Sequence, residues 1–67
     1  MEYTNSRIRE IIAEHIHRER DRRILERRLI DGITFERLAE EQELSVSQVK
    51  RIVWNGSEII FRNLKMN

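Results

Sequence analysis

Two helix starts stand eleven residues apart in the stretch Thr34–Trp54, TFERLAEEQELSVSQVKRIVW, and that spacing constrains the fold more than any other feature. Thr34 and Ser45 are hydroxyl residues able to accept a hydrogen bond from an orphan N–H of a first helical turn. Each follows an apolar residue whose partner lies five positions on, Ile33 with Leu38 and Leu44 with Val49, the spacing of a hydrophobic staple. Ser45-Val-Ser-Gln48 also fits a capping box, in which the glutamine reaches back to the cap. Between the two starts there is room for one short helix, Phe35–Gln42, with Leu38 and Ala39 inward. Beyond Ser45, Val46, Val49, Ile52 and Val53 repeat at the spacing of one buried face. Ala39 is small enough to let the two helices cross closely. The pattern predicts a helix-turn-helix.

The rest of the chain adds two more helices. Thr4-Asn5-Ser6 offers cap residues, and Ile8, Ile11, Ile12 and Ile16 form an apolar stripe, predicting a first helix over Ser6–His17. A second helix is predicted over Arg18–Ile30, carrying Ile24, Leu25 and Leu29 and stopping at Gly32, which suits a left-handed cap. No Gly or Pro punctuates His15–Asp21, so the residues leave open two separate helices or one bent rod. The fourth helix is expected over Val46–Leu64. Gly56 lies inside it at a cost of about 1 kcal/mol relative to Ala; it either kinks the rod or lets another helix approach. The expected class is all-α: one small four-helix domain, 1–67, with a C-terminal helix-turn-helix and a long recognition helix.

Composition narrows the function. Sixty-seven residues lie near the lower limit for an independent core. The chain has no Cys, hence no disulfide and no thiolate metal site, which fits a cytoplasmic setting. With 37% charged residues and no long apolar run it is not expected to span a membrane, and no secretory signal is visible. His15 and His17 point to different sides of a helix, so no metal is expected. No nucleophile–base pair or phosphate-cradling glycine loop stands out, so neither catalysis nor a cofactor is expected. Net charge is only +1, but it is segregated. Residues 17–28 hold six Arg against three acids, residues 36–43 hold four Glu against Arg37, and residues 45–67 hold four cations, Lys65 among them, against Glu58. As charge alone, these blocks read as solvated helix faces with pairs such as Glu19–Arg23.

From Ile24-Leu25 through Leu29-Ile30-Asp31-Gly32, Thr34, Leu38-Ala39 and Leu44-Ser45-Val46 to Val49-Lys50, the chain resembles region 4 of bacterial sigma-70-type factors. The resemblance covers roughly residues 20–64. Response-regulator output domains share much of the motif. One position departs: the turn residue usually filled by Gly is Glu43, and a non-glycine residue takes a left-handed backbone there only at some cost. The pattern favours a break near His17. It also implies that the helix before the motif and the motif's second helix, the two positive blocks, approach DNA.

With Val49 inward, Ser47, Arg51, Asn55 and Glu58 face outward, with Gln48 and Lys50 on the shoulders. A helix in the major groove reads base edges from its N-terminal residues. Ser47, Gln48, Arg51 and Asn55 are the expected base readers, Gln suiting adenine and Arg guanine. Thr34, Ser45, Lys50, Arg27 and Arg28 are the expected phosphate contacts. Trp54 and Phe61, seven apart, are either core under a returning first helix or the seam of a homodimer. The expected function is sequence-specific binding of double-stranded DNA as a transcription regulator in a bacterium or its mobile elements. Similarity to region 4 implies promoter-type sequences and contact with RNA polymerase; a complete sigma factor is not expected, because no promoter-melting domain is present. The alternative is a protein–protein adaptor that docks on polymerase or a regulator through the acidic third helix and the aromatics, without reading DNA.

Overall fold

The computed structural model describes residues 4–65, with Lys65 in its backbone alone. These residues form four α-helices and no strand: α1 (Asn5–His15), α2 (Glu19–Leu29), α3 (Phe35–Gln42) and α4 (Val46–Lys65). The chain is all-α. α3 and α4 begin where their caps predict.

α1 corrects the expected bounds. Its cap is Thr4, whose hydroxyl accepts from the Arg7 N–H at 3.2 Å, so the helix starts at Asn5 rather than Ser6. It ends at His15, not His17, because Ile16 turns extended (φ −105°, ψ 113°) while its N–H still closes on the Ile12 carbonyl. Arg18 is extended as well (φ −81°, ψ 125°). α1 and α2 are therefore separate helices joined by an elbow at residues 16–18. Burial holds that elbow: Ile16 is inside the core, and Arg22 Nε donates to its carbonyl.

The core has two parts threaded on α4. Ile11, Ile12 and Ile16 from α1 and the elbow meet Leu25, Ile60 and Leu64. Ile24, Leu38 and Ala39 meet Val49 and Val53. Consecutive residues on a helix point about 100° apart, so Ile24 and Leu25 send one side chain into each part. α2 is thus the strut that joins the helix-turn-helix to α1.

Gly56 marks where α2 meets α4. A Cβ built there would stand 2.7 Å from Leu25 Cδ2, 3.0 Å from Cγ and nearer still to Cδ1. α4 runs through this position without a break. Of the two roles open to Gly56, close approach is the one it plays. Trp54 and Phe61 correct the core alternative: α1 does pack on α4, but through Ile60 and Leu64. Trp54 stays 65% exposed and Phe61 49%.

Candidate nucleic-acid interface

The α3–turn–α4 unit is built by the local signals in its sequence. The Thr34 hydroxyl accepts from the Arg37 N–H at 3.2 Å. The Gln48 N–H donates to Ser45 Oγ at 3.1 Å while the Ser45 N–H donates to Gln48 Oε1 at 2.9 Å, closing the capping box in both directions. Ile33, Leu38, Leu44 and Val49 all pack in one cluster, as the staples require. At the end of α3 the Leu44 N–H donates to the Ala39 carbonyl (2.9 Å) and the Glu43 N–H to that of Glu40 (3.4 Å), a Schellman motif. Its left-handed residue is Glu43 (φ 55°, ψ 44°), the one non-glycine with positive φ among the described residues. The turn keeps the geometry a glycine would give and carries the strain of lacking one.

The expected base-reading residues share one surface. Ser47, Gln48, Arg51 and Asn55 are all exposed on α4. Gln48 already spends its carbonyl oxygen on the cap, which leaves its amide N–H groups as the part able to meet another molecule. Arg51 has neither an ion pair nor a hydrogen bond among the described residues. Its guanidinium therefore keeps all five donors. Ser47 and Asn55 likewise make no side-chain hydrogen bond there.

The expected phosphate residues divide. Arg28 lies over the Phe35 ring at 4.3 Å and donates from Nη1 to the Ile33 carbonyl at 3.0 Å. Lys50 Nζ approaches the same ring at 5.8 Å. Phe35 follows the cap residue Thr34, so Arg28, Lys50 and Thr34 gather at the start of α3. Ser45 stays exposed at the start of α4. Arg27 is occupied elsewhere. Its Nε and Nη2 donate to the two oxygens of Glu41 at 2.7 Å each, and Asp31 stands at 3.8 Å. Those hydrogen bonds, and then the attraction between the charges, hold the Glu41 carboxyl below the ordinary glutamate range and raise the Arg27 guanidinium. This pair ties α2 to α3 and leaves Arg27 little freedom to reach a ligand.

Two cations outside the expected set stand beside the reading face. The elbow and α4 enclose a shallow groove of about 230 Å³ whose rim carries Arg18, Arg20, Arg51 and Asn55 over a floor of Leu25 and Ile59. An adjoining recess brings Gln48 beside Arg20 and Arg51. Arg18 has no partner among the described residues, and Arg20 has only its neighbour Asp21, at 3.3 Å. In the sequence these two arginines look no different from the other four in their block. Only the elbow sets them against α4. Glu36 and Glu40 of α3 are exposed. Lys65, counted in the C-terminal positive block, has its side chain outside the described residues.

Among the described residues no group of three or more His, Cys, Asp or Glu is placed to hold a metal ion, and no helix is long and apolar enough to cross a membrane. No known family profile, curated protein or solved structure matches this chain.

Proposed function

We propose that the chain is a sequence-specific binder of duplex DNA that regulates transcription, with α4 lying in the major groove. One observation carries this reading. Arg51 and Asn55 stand one turn apart on the open side of a twenty-residue helix, with no partner among the described residues, while Val49 and Val53 anchor the opposite side. A guanidinium with every donor free matches the paired acceptors of a guanine edge, and a carboxamide matches adenine. Ser47 and the free amide of Gln48 extend the same surface. Lys50 and Arg28 supply positive charge for phosphates beside it. This chemistry needs neither a cofactor nor a catalytic group, and the chain acts as a binding protein rather than an enzyme.

Random-site selection with the purified protein tests the reading directly. An enriched sequence is expected, and Arg51→Ala should weaken binding to it by about 1–3 kcal/mol and relax preference at one base pair. No enrichment, or unchanged affinity and preference in the variant, refutes it.

The exposed aromatics favour a second reading. Trp54 and Phe61 stand open on α4, and large aromatics are enriched at protein interfaces. A homodimer seam, or an adaptor docking on RNA polymerase, would use them. An adaptor would tolerate Arg51→Ala and fail on Glu40→Lys. Glu40 is the cleaner position for that reversal, because Glu41 is held by Arg27.

A further inference from the structure

We infer that α2 is a two-ended phosphate bracket: Arg18 and Arg20 at its start hold one DNA strand, and Arg28 at its end, with Lys50, holds the other. This rests on the duplex-binding reading and adds to it which residues grip which side of the groove.

The two cation groups lie on opposite flanks of α4. Arg18 and Arg20 share their groove with Ile52, Asn55 and Ile59. Lys50 leans instead toward Phe35, whose ring also carries Arg28. Lys50 and Ile52 are two residues apart, roughly 160° around the helix by the shorter way. A helix seated with Ser47, Arg51 and Asn55 toward the bases therefore has cations to both its left and its right. The reach is suitable too. From Arg18 to Arg28 the chain rises roughly 15 Å at helical pitch, against a major groove about 12 Å wide.

None of the cations that flank α4 pairs with a carboxylate from another turn or another helix. Arg7, Arg9, Arg23, Arg27, Arg37 and Arg62 each pair with a carboxylate from another turn or another helix. Arg18 has no partner among the described residues, and Arg20 has only the adjacent Asp21. Arg28 and Lys50 rest on an aromatic face, which orients a cation without neutralising it. The α2 strut keeps the spacing rigid, because Leu25 is packed against Gly56 between the two ends. Acidic Glu19 and Asp21 lie among these residues: Glu19 is turned to Arg23, whereas Asp21 pairs with Arg20 itself, so a phosphate takes the place of Asp21 there.

The experiment is a salt titration of binding to a fluorescein-labelled mixed-sequence duplex, read by anisotropy. Each phosphate that a cation no longer neutralises lowers the log–log salt slope by about 0.9. The slope of the Arg18→Gln/Arg20→Gln protein should fall by about 1.8 and that of Lys50→Gln by about 0.9, with the reductions adding when the substitutions are combined. Arg18 and Arg20 are exposed and Lys50 rests only on the Phe35 ring, and circular dichroism verifies that each variant is folded. An unchanged slope in the Arg18→Gln/Arg20→Gln protein, with that of Lys50→Gln reduced, overturns the bracket and leaves DNA binding standing. A parent protein with no salt-dependent duplex binding ends both. Phosphate ethylation interference on the selected site then assigns the strands. The parent should be sensitive on both, and the Arg18→Gln/Arg20→Gln protein should lose sensitivity on one alone; equal loss on both overturns the assignment.

Discussion

Replacing Gly56 with Ala sets two effects of opposite sign against each other. Helix propensity favours Ala by about 1 kcal/mol in a helix interior. Against it stands the methyl group, which would meet three Leu25 atoms at 3.0 Å or less. Leu25 is fully buried among Ile11, Ile12, Ile16, Ile60 and Leu64, so moving its δ-methyls aside disturbs those neighbours. Overpacking a filled core costs about 1–3 kcal/mol, and contacts with both δ-methyls place this one in the upper half of that range. The net is a destabilisation of about 1–2 kcal/mol, or a Tm lowered by roughly 5–15 °C at 4–8 °C per kcal/mol for a domain this small. Thermal and urea unfolding followed by circular dichroism measures it. The control is Leu25→Val, which trims the colliding δ-carbons at a cost of about 1 kcal/mol. In that background Gly56→Ala should be neutral or stabilising, giving a coupling of about 2 kcal/mol. A Tm that rises in both backgrounds would falsify the close-crossing argument.

Glu43→Gly should act in the opposite sense. Relief of a left-handed L-residue is worth about 1–2 kcal/mol, less about 0.4–1 kcal/mol of added freedom in the unfolded chain. The net is a gain of about 0.5–1 kcal/mol, visible as a higher Tm; a lower Tm would mean that the Glu43 side chain has a role of its own. The Arg27–Glu41 pair makes stability depend on acid. Because the folded chain holds the Glu41 carboxyl below its ordinary range, its contribution is complete above that range and is lost as the pH falls through and below it. Glu41→Gln should lower the Tm near neutrality and flatten the acid limb of a Tm–pH curve. Superimposable acid limbs in parent and variant would sink that account.

Local signals proved the most legible part of the chain. Thr34, Ser45 and Gln48 act within a few residues of themselves, so their hydrogen bonds follow from spacing alone, and α3 and α4 begin where those residues place them. The outward set Ser47, Arg51 and Asn55 is legible for the same reason, helical periodicity. Arg27 and Arg28 were not separable by such reasoning. They are neighbours with identical chemistry, and one turns to Glu41 while the other turns to Phe35 because of where α3 lies. Arg18 and Arg20 stayed hidden behind a bend that no Gly or Pro announces. At that bend Ile16 turns extended and buried, with its carbonyl held by Arg22.

What the sequence by itself determined is what short-range geometry sets: helical segments throughout, the caps that start α3 and α4, and which side of α4 is polar. Caps and periodicity need only a few bonded neighbours. What only the tertiary structure decided is which faces end up in contact. It gave Gly56 its role as a seat for Leu25, left Trp54 and Phe61 in the open, and gathered the arginines of the elbow against α4. Those outcomes depend on residues far apart in the chain filling one shared volume, and no local pattern encodes how two helices distant in sequence will cross.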